Sequence, residues 1–442
     1  MGRKRVGETI ITIICTPQGY EQVVENMEEA EPGPSKKPRL STGGGLTAFT
    51  LRLAKKLSAT QDNDNVIFSP LSIYAALALV AAGARGATLD EIILLLGAAS
   101  RDELAKIART VADRALADDG SSSSEEGGLH ITFASGIWHD KTVALKPAYR
   151  AAAVESYKAV TCSADFKEEA EGAREEINKW VSEATNNLIT SILPRGSVNS
   201  STRLVLANVI YFNGTWSEPF AKKQTRARSF YRLDGSSVDT PFMRTGRDQF
   251  VARHDGFKVL KMTYRMSQHL KPSSGADDDE TPRLSMCVFL PDARDGLPWL
   301  MDTMQSDPAS FLRDYLPQRR ISLVEFLLPK FKLSFSSRID GVLRDMGIKA
   351  AFDAHEADLS DMCEGGASLA VEKVFHKAVL EVNEEGTVAA ASTAFILRKL
   401  RRVLNDVPVD FIADHPFAFF VVDEVSGAVI FAGQVLDPAT SM

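Results

Sequence analysis

In Glu381-Val-Asn-Glu-Glu-Gly386-Thr-Val-Ala-Ala-Ala-Ser-Thr-Ala-Phe-Ile-Leu-Arg398-Lys-Leu-Arg-Arg-Val403, a run of small uncharged residues is followed at once by a basic cluster. From Thr387 to Leu397 there is no charge, no Pro and no Gly. As a strand, Thr387, Ala389, Ala391, Thr393, Phe395 and Leu397 share one face, and Val388, Ala390, Ser392, Ala394 and Ile396 share the other. Both faces suit burial, as in a strand inside a sheet. Arg398 to Arg402, by contrast, belongs in water, where a protease can reach it. Ala, Leu, Arg and Lys are also the best helix formers. Composition alone therefore leaves an amphipathic helix equally open.

The 442 residues are 44% hydrophobic and 25% charged, ordinary for a chain with a large buried core. Length alone suggests two or three domains. A net charge of −7 argues against nucleic acid as the main partner, because phosphate binding needs a concentrated basic surface. No apolar run approaches the roughly 20 residues of a membrane span, so no membrane partner is expected. Cys15, Cys162, Cys287 and Cys363 are widely spaced, which predicts four reduced, mostly buried thiols and no metal site. None of the seven histidines has metal-ligand spacing, and no cofactor is implied. The apolar run from Thr9 to Thr16 is short and lacks a small-residue cleavage site, so a cytoplasmic or nuclear location is expected over an extracellular one.

Residues 1–45 combine an acidic run, a Pro-rich basic run and Gly43-Gly44-Gly45, and are expected to form a disordered extension. From Leu46, Phe49, Leu53 and Leu57 recur at helical spacing. Ser69 before Pro70 predicts a capped helix running to Gly83, apolar on nearly all sides and therefore central. Thr88-Leu-Asp-Glu91 has the form of a capping box for a further helix ending near Gly97. Helices are also expected over 101–117, 147–157, 169–187, 308–316 and 339–346. Strands are expected over 129–138 and 204–212, as short segments between 230 and 290, over 324–335, over 370–381 and in a hairpin at 418–432. Helices early and strands late give an α+β fold.

Glu384-Glu385-Gly386-Thr387, followed by Val388 and three alanines, resembles the hinge of the serpin reactive-centre loop. Asp414-His-Pro-Phe417 resembles the strand entry that comes after this loop in serpins. Further matching stretches are Asn65-Val-Ile-Phe-Ser-Pro-Leu-Ser-Ile73, Leu206-Ala-Asn-Val-Ile-Tyr-Phe-Asn-Gly-Thr-Trp216, Leu328-Pro-Lys-Phe331 and Phe375-His-Lys-Ala-Val-Leu-Glu-Val382. The resemblance spans residues 46–438, and the wording of the hinge is most like plant serpins. It implies one large domain with a central, mostly antiparallel sheet, smaller sheets, eight to nine helices and an exposed loop over about 384–406.

The resemblance also implies roles. The hinge would comprise Glu384, Glu385, Gly386, Thr387, Val388, Ala389, Ala390, Ala391 and Ser392. Fifteen residues counted from Gly386 place the reactive bond at Leu400–Arg401, with Lys399 and Arg402 as alternatives one residue away. Ser69, Ser72, Asn208 and His376 match hydrogen-bonding residues beneath the sheet centre, and Trp216, Lys330 and Glu384 match the point where the loop enters. Taken without the family, His376 in an apolar strand is an ordinary core histidine. Asn187 stands where the family usually has Gly, Asn213 where a basic residue is common, and Val388 where plant serpins often have Glu.

The implied function is suicide-substrate inhibition of a chymotrypsin-like, trypsin-like or papain-like endopeptidase by a monomer that is not itself an enzyme. The alternative is a non-inhibitory serpin serving in binding, storage or as a chaperone. The absence of G-x-S-x-G argues against a hydrolase.

Overall fold

The computed structural model describes residues 9–16, 19–26, 43–60, 64–116, 130–265, 283–364, 369–387 and 409–440. In chain order these form β1 (Thr9–Thr16), β2 (Gly19–Asn26), α1 (Gly43–Thr60), β3 (Val66–Phe68), α2 (Pro70–Gly83), α3 (Gly86–Leu96), α4 (Arg101–Leu116), β4 (His130–Asp140), α5 (Pro147–Tyr157), β5 (Val160–Ala164) and α6 (Phe166–Ala184). Next come β6 (Leu204–Thr215), β7 (Arg226–Tyr231), β8 (Ser237–Met243), β9 (Gln249–His254), β10 (Phe257–Thr263), β11 (Leu284–Pro291), α7 (Leu297–Thr303) and α8 (Phe311–Tyr315). The chain ends through β12 (Arg320–Ile321), β13 (Phe326–Pro329), β14 (Phe331–Arg338), α9 (Asp340–Asp345), β15 (Lys373–Val382), β16 (Gly386–Thr387), β17 (Phe411–Ile412), β18 (Phe417–Asp423) and β19 (Val429–Val435).

The central sheet runs β14-β15-β6-β4-β5, with β16 added against the end of β6. β14 with β15, β6 with β4 and β6 with β16 are antiparallel, while β15 with β6 and β4 with β5 are parallel. A second sheet, β12-β9-β10-β11-β18-β19-β3, and a third, β17-β13-β8-β7, pack around it. One apolar core joins α1, α2 and the second sheet, and a smaller cluster lies between α6 and the other face of the central sheet. α2 is buried along almost its whole length, as its all-round apolarity requires.

Ser69 caps α2 as expected, accepting from the Ser72 amide at 3.2 Å. The capping box at Thr88 does not form. α3 begins two residues earlier, at Gly86. The Thr88 hydroxyl accepts instead from the Asp358 amide (3.0 Å), and the Glu91 carboxylate from the amides of Lys349 (2.7 Å) and Ala350 (2.8 Å). The single strand expected over 324–335 is two strands that belong to different sheets and change over at Lys330. α7 was not foreseen, and the helix expected over 308–316 is only the short α8.

Within the expected extension, β1 and β2 pair as an antiparallel hairpin, which the many β-branched Ile and Thr residues of Thr9–Thr16 favour. The expectation of four reduced thiols also needs correction. Cys287 and Cys363 are free and buried, but Cys162 is disulfide-bonded. Wide sequence spacing carries no information about such a pairing, because it depends on which strands the fold brings together.

Candidate functional site

β15 and β6 run side by side and parallel from Lys373 opposite Val205 to Val379 opposite Tyr211. Above that level the chain leaves β15, turns at residues 383–385 and comes back as β16, with Gly386 opposite Thr215 and Thr387 opposite Gly214. β16 therefore runs antiparallel to β6 and enters at the top of the seam between β6 and β15. Thr387 is fully buried there.

The turn is held by its own residues. The Asn383 side-chain oxygen accepts from the amides of Glu385 (3.0 Å) and Gly386 (3.2 Å), and the Asn383 amide donates to the Gly386 carbonyl (2.9 Å). Such an Asx arrangement is a common use of Asn in tight turns. The Trp216 amide donates to the Glu385 carbonyl (2.8 Å), its indole N–H to the Asn383 carbonyl (3.0 Å), and the Phe220 amide to the Glu384 carbonyl (2.7 Å).

Glu384 is almost completely buried, with Lys330 Nζ 2.9 Å from one carboxylate oxygen and the Thr225 hydroxyl donating to the other at 2.7 Å. Burial opposes its ionisation, but the Thr225 and Lys330 bonds together outweigh it and hold the carboxyl below its usual range. Glu385 pairs with Lys222 at 2.5 Å. Against Thr387 lies Tyr264, whose ring stacks on Trp216 with centroids 4.5 Å apart. Burial drives its phenol well above the ordinary range, so it is neutral.

Lower in the seam, His376 and Asn208 are register partners. Ser337 lies opposite His376 on the outer side, and Ser135 opposite Asn208. The four residues form a polar row across β14, β15, β6 and β4. The Ser69 amide at the start of α2 donates to His376 Nε2 at 3.0 Å, which leaves the imidazole proton on Nδ1. Burial lowers the His376 pKa to about 3. Among the described residues, His376 Nδ1, both amide atoms of Asn208 and Ser72 Oγ have no hydrogen-bond partner. A strand entering between β15 and β6 would pass between His376 and Asn208, offering them backbone groups.

The structure thus brings Trp216, Lys330, Glu384, Glu385, Gly386 and Thr387 together at one end of the seam, and Ser69, Ser72, Asn208 and His376 along its middle. Val388, Ala389, Ala390, Ala391, Ser392, Lys399, Leu400, Arg401 and Arg402 lie outside the described residues. Among the described residues there is no cluster fit to hold a metal, and no helix is long and apolar enough to cross a membrane.

A family model described as Serpin (serine protease inhibitor) matches residues 45–438. This chain is a serpin. Serpin-Z2A of Oryza sativa subsp. japonica is 54% identical over 421 residues, covering 90% of this chain and 98% of that protein. Serpin-ZX of Arabidopsis thaliana is 40% identical, over 88% of this chain and 96% of that protein. The plant-like wording of the hinge agrees with these relatives. Among solved structures, Arabidopsis AtSerpin1 in its native stressed conformation aligns with a TM-score of 0.79 and 37% identity, covering 92% of this chain and all of that one (100%). Uncleaved ovalbumin aligns with a TM-score of 0.72 and 26% identity, covering 90% and 100%.

The departure from the family pattern at Asn187 has a structural reason. Asn187 has φ +62°, a left-handed conformation that Asn tolerates better than most residues. Its side chain also meets Ser182 Oγ at 2.8 Å. Sequence reasoning overlooked Asn383, Lys222, Thr225 and Tyr264. For Asn383 a signal existed, an Asn directly before two glutamates and a glycine. For Tyr264 the only hint was a tyrosine directly after the mixed strand Phe257–Thr263.

Proposed function

We propose that this serpin is an inhibitor that acts as an irreversible suicide substrate of serine endopeptidases and, as a second target class, cysteine endopeptidases. The serine hydroxyl or cysteine thiol of the protease attacks the carbonyl of Leu400, its proton passes to the departing nitrogen of Arg401, and the Leu400 acyl group stays on the protease as an ester or a thioester. The freed loop then enters the central sheet between β15 and β6, carrying the protease with it. The catalytic groups belong to the protease; this chain supplies the bait and the strand.

The observation that carries this proposal is the seating of Gly386 and Thr387 against Thr215 and Gly214. The hinge already has the direction and register of an inserted strand. The next five residues, Val388-Ala-Ala-Ala-Ser392, are small and uncharged, so they can pass down the seam without burying a charge. Insertion replaces a parallel pairing by two antiparallel ones, which are slightly more stable per residue.

Mixing the protein with chymotrypsin, trypsin and papain tests this. A denaturing gel is expected to show a covalent band at the summed mass, and mass spectrometry a released peptide starting at Arg401. A first residue of Leu400 or Arg402 moves the reactive bond by one position. Clean cleavage without a covalent band overturns the inhibitory proposal and favours a binding or storage role.

A further inference from the structure

Thr387 carries the first hydroxyl on the incoming strand, and the next four residues have none. It is fully buried, so its oxygen needs a partner inside the protein. The partner is Tyr264, whose hydroxyl lies 3.0 Å from Thr387 Oγ1. Tyr264 is itself fixed from several sides. Its backbone forms a bridge with Trp216, its amide donates to the Leu284 carbonyl at 2.9 Å, and the neighbouring Arg265 amide donates to the Thr215 carbonyl at 2.7 Å. Its ring lies between the stacked Trp216 and the edge-on Phe212, 4.9 Å away.

We infer that Tyr264 is a positioning residue for loop insertion, holding the hinge seated at the top of the seam through the Thr387 hydroxyl. This rests on the inhibitory function proposed above. After acylation, two fates compete: insertion, which traps the protease, and hydrolysis, which releases it and leaves a cleaved loop. A hinge that is already seated starts insertion with its first residue in register. Without the Tyr264 hydroxyl, a seated Thr387 has a buried oxygen with no partner. The unseated hinge, where water satisfies that oxygen, is then favoured, and insertion starts later. Tyr264 acts in this account only through the Thr387 hydroxyl, so its effect is read in the partition.

The test compares wild type, Tyr264→Phe, Thr387→Val and the double variant with chymotrypsin. The readouts are the ratio of cleaved to covalently trapped inhibitor, the thermal midpoint, and backbone hydrogen exchange over residues 383–387 of the uncleaved proteins. Tyr264→Phe is expected to raise the cleaved-to-trapped ratio by about threefold to tenfold, the factor given by the net contribution of one hydrogen bond. It is also expected to speed exchange over residues 383–387. Adding Thr387→Val should return both readouts toward wild type, because no unpaired group is then left in the seat. A Tyr264→Phe effect that Thr387→Val does not reverse, or one that appears only in the thermal midpoint, overturns the inference in favour of simple packing. Absence of any covalent complex with wild type overturns the inhibitory function itself, and the exchange data still report whether the Tyr264 hydroxyl seats the hinge.

Discussion

Gly386 sits so close to Gly214 that a Cβ on it would lie 2.1 Å from the Gly214 carbonyl oxygen and 2.6 Å from the Thr215 Cα. Its φ of +154° is also one that side chains disfavour. Both obstacles are backbone, so neither can rotate away. Gly386→Ala is therefore expected to expel β16 from the seam, at a cost of at least about 1 kcal/mol. Hydrogen exchange at the Trp216 and Gly386 amides should become fast, and the trapped fraction of protease should fall several-fold. Wild-type trapping in this variant would mean that seating of the hinge before cleavage is not needed.

Lys330 stands where the chain passes from the third sheet to the central one, and there it meets the buried Glu384. Replacing Lys330 with Met removes the main countercharge of a nearly buried carboxylate, and about 1–3 kcal/mol of stability should be lost near pH 7. The folded pKa of Glu384 lies below its unfolded value. Its contribution is therefore fully present above about pH 4.5 and fades as the pH falls through the folded value. Urea unfolding at pH 7 and pH 4 should show a smaller gap between wild type and Lys330→Met at the lower pH. A gap of equal size at both would remove ionised Glu384 from the account.

Much of this arrangement is local enough to read from the chain, and the rest is not. Ser69 before Pro70 fixes the start of α2 because a cap and a preset φ act within three residues. Thr88 and Glu91 misled because their side chains are taken by Asp358, Lys349 and Ala350, more than 250 residues away. Alternation across Val324–Phe335 changes phase where the backbone changes sheets, from Val324, Phe326 and Leu328 at even positions to Phe331, Leu333 and Phe335 at odd ones, and an expectation of one continuous strand overlooks that shift at Pro329–Lys330. Tyr264 was silent for the reason that Thr88 and Glu91 misled: its role comes from a partner 123 residues further along.

His376 gives the seam a dependence on pH with the same sign. Its imidazole takes up a proton near pH 6.5 when unfolded but only near pH 3 when folded. Stability is therefore at its plateau above pH 6.5 and falls as the pH drops from there toward 3, by about 1.4 kcal/mol per unit. Denaturant unfolding at pH 7.5 and pH 5 should differ by about 2 kcal/mol on this account alone. His376→Gln should flatten that difference. An unchanged slope in the variant would assign the acid sensitivity to other groups.

Cleavage within the loop, without any trapped protease, should itself stabilise the molecule. β15 and β6 now share one ladder of seven parallel pairs, from Lys373 and Val205 to Val379 and Tyr211. A strand continuing down from Thr387 would hydrogen-bond to both neighbours and would pass the unpartnered atoms of Asn208 and His376 on its way. At about 1 kcal/mol net per added hydrogen bond, ten such bonds contribute on the order of 10 kcal/mol. For a chain of this size that corresponds to a Tm rise of roughly 10–20 °C. Thr387→Arg is the matching control. Position 387 is fully buried, and a guanidinium there would have to give up water. The cleaved Arg variant should melt close to its uncleaved form and be cut without trapping the protease. A large Tm rise in the Arg variant would mean that the strand enters by another register, with residue 387 outside the sheet.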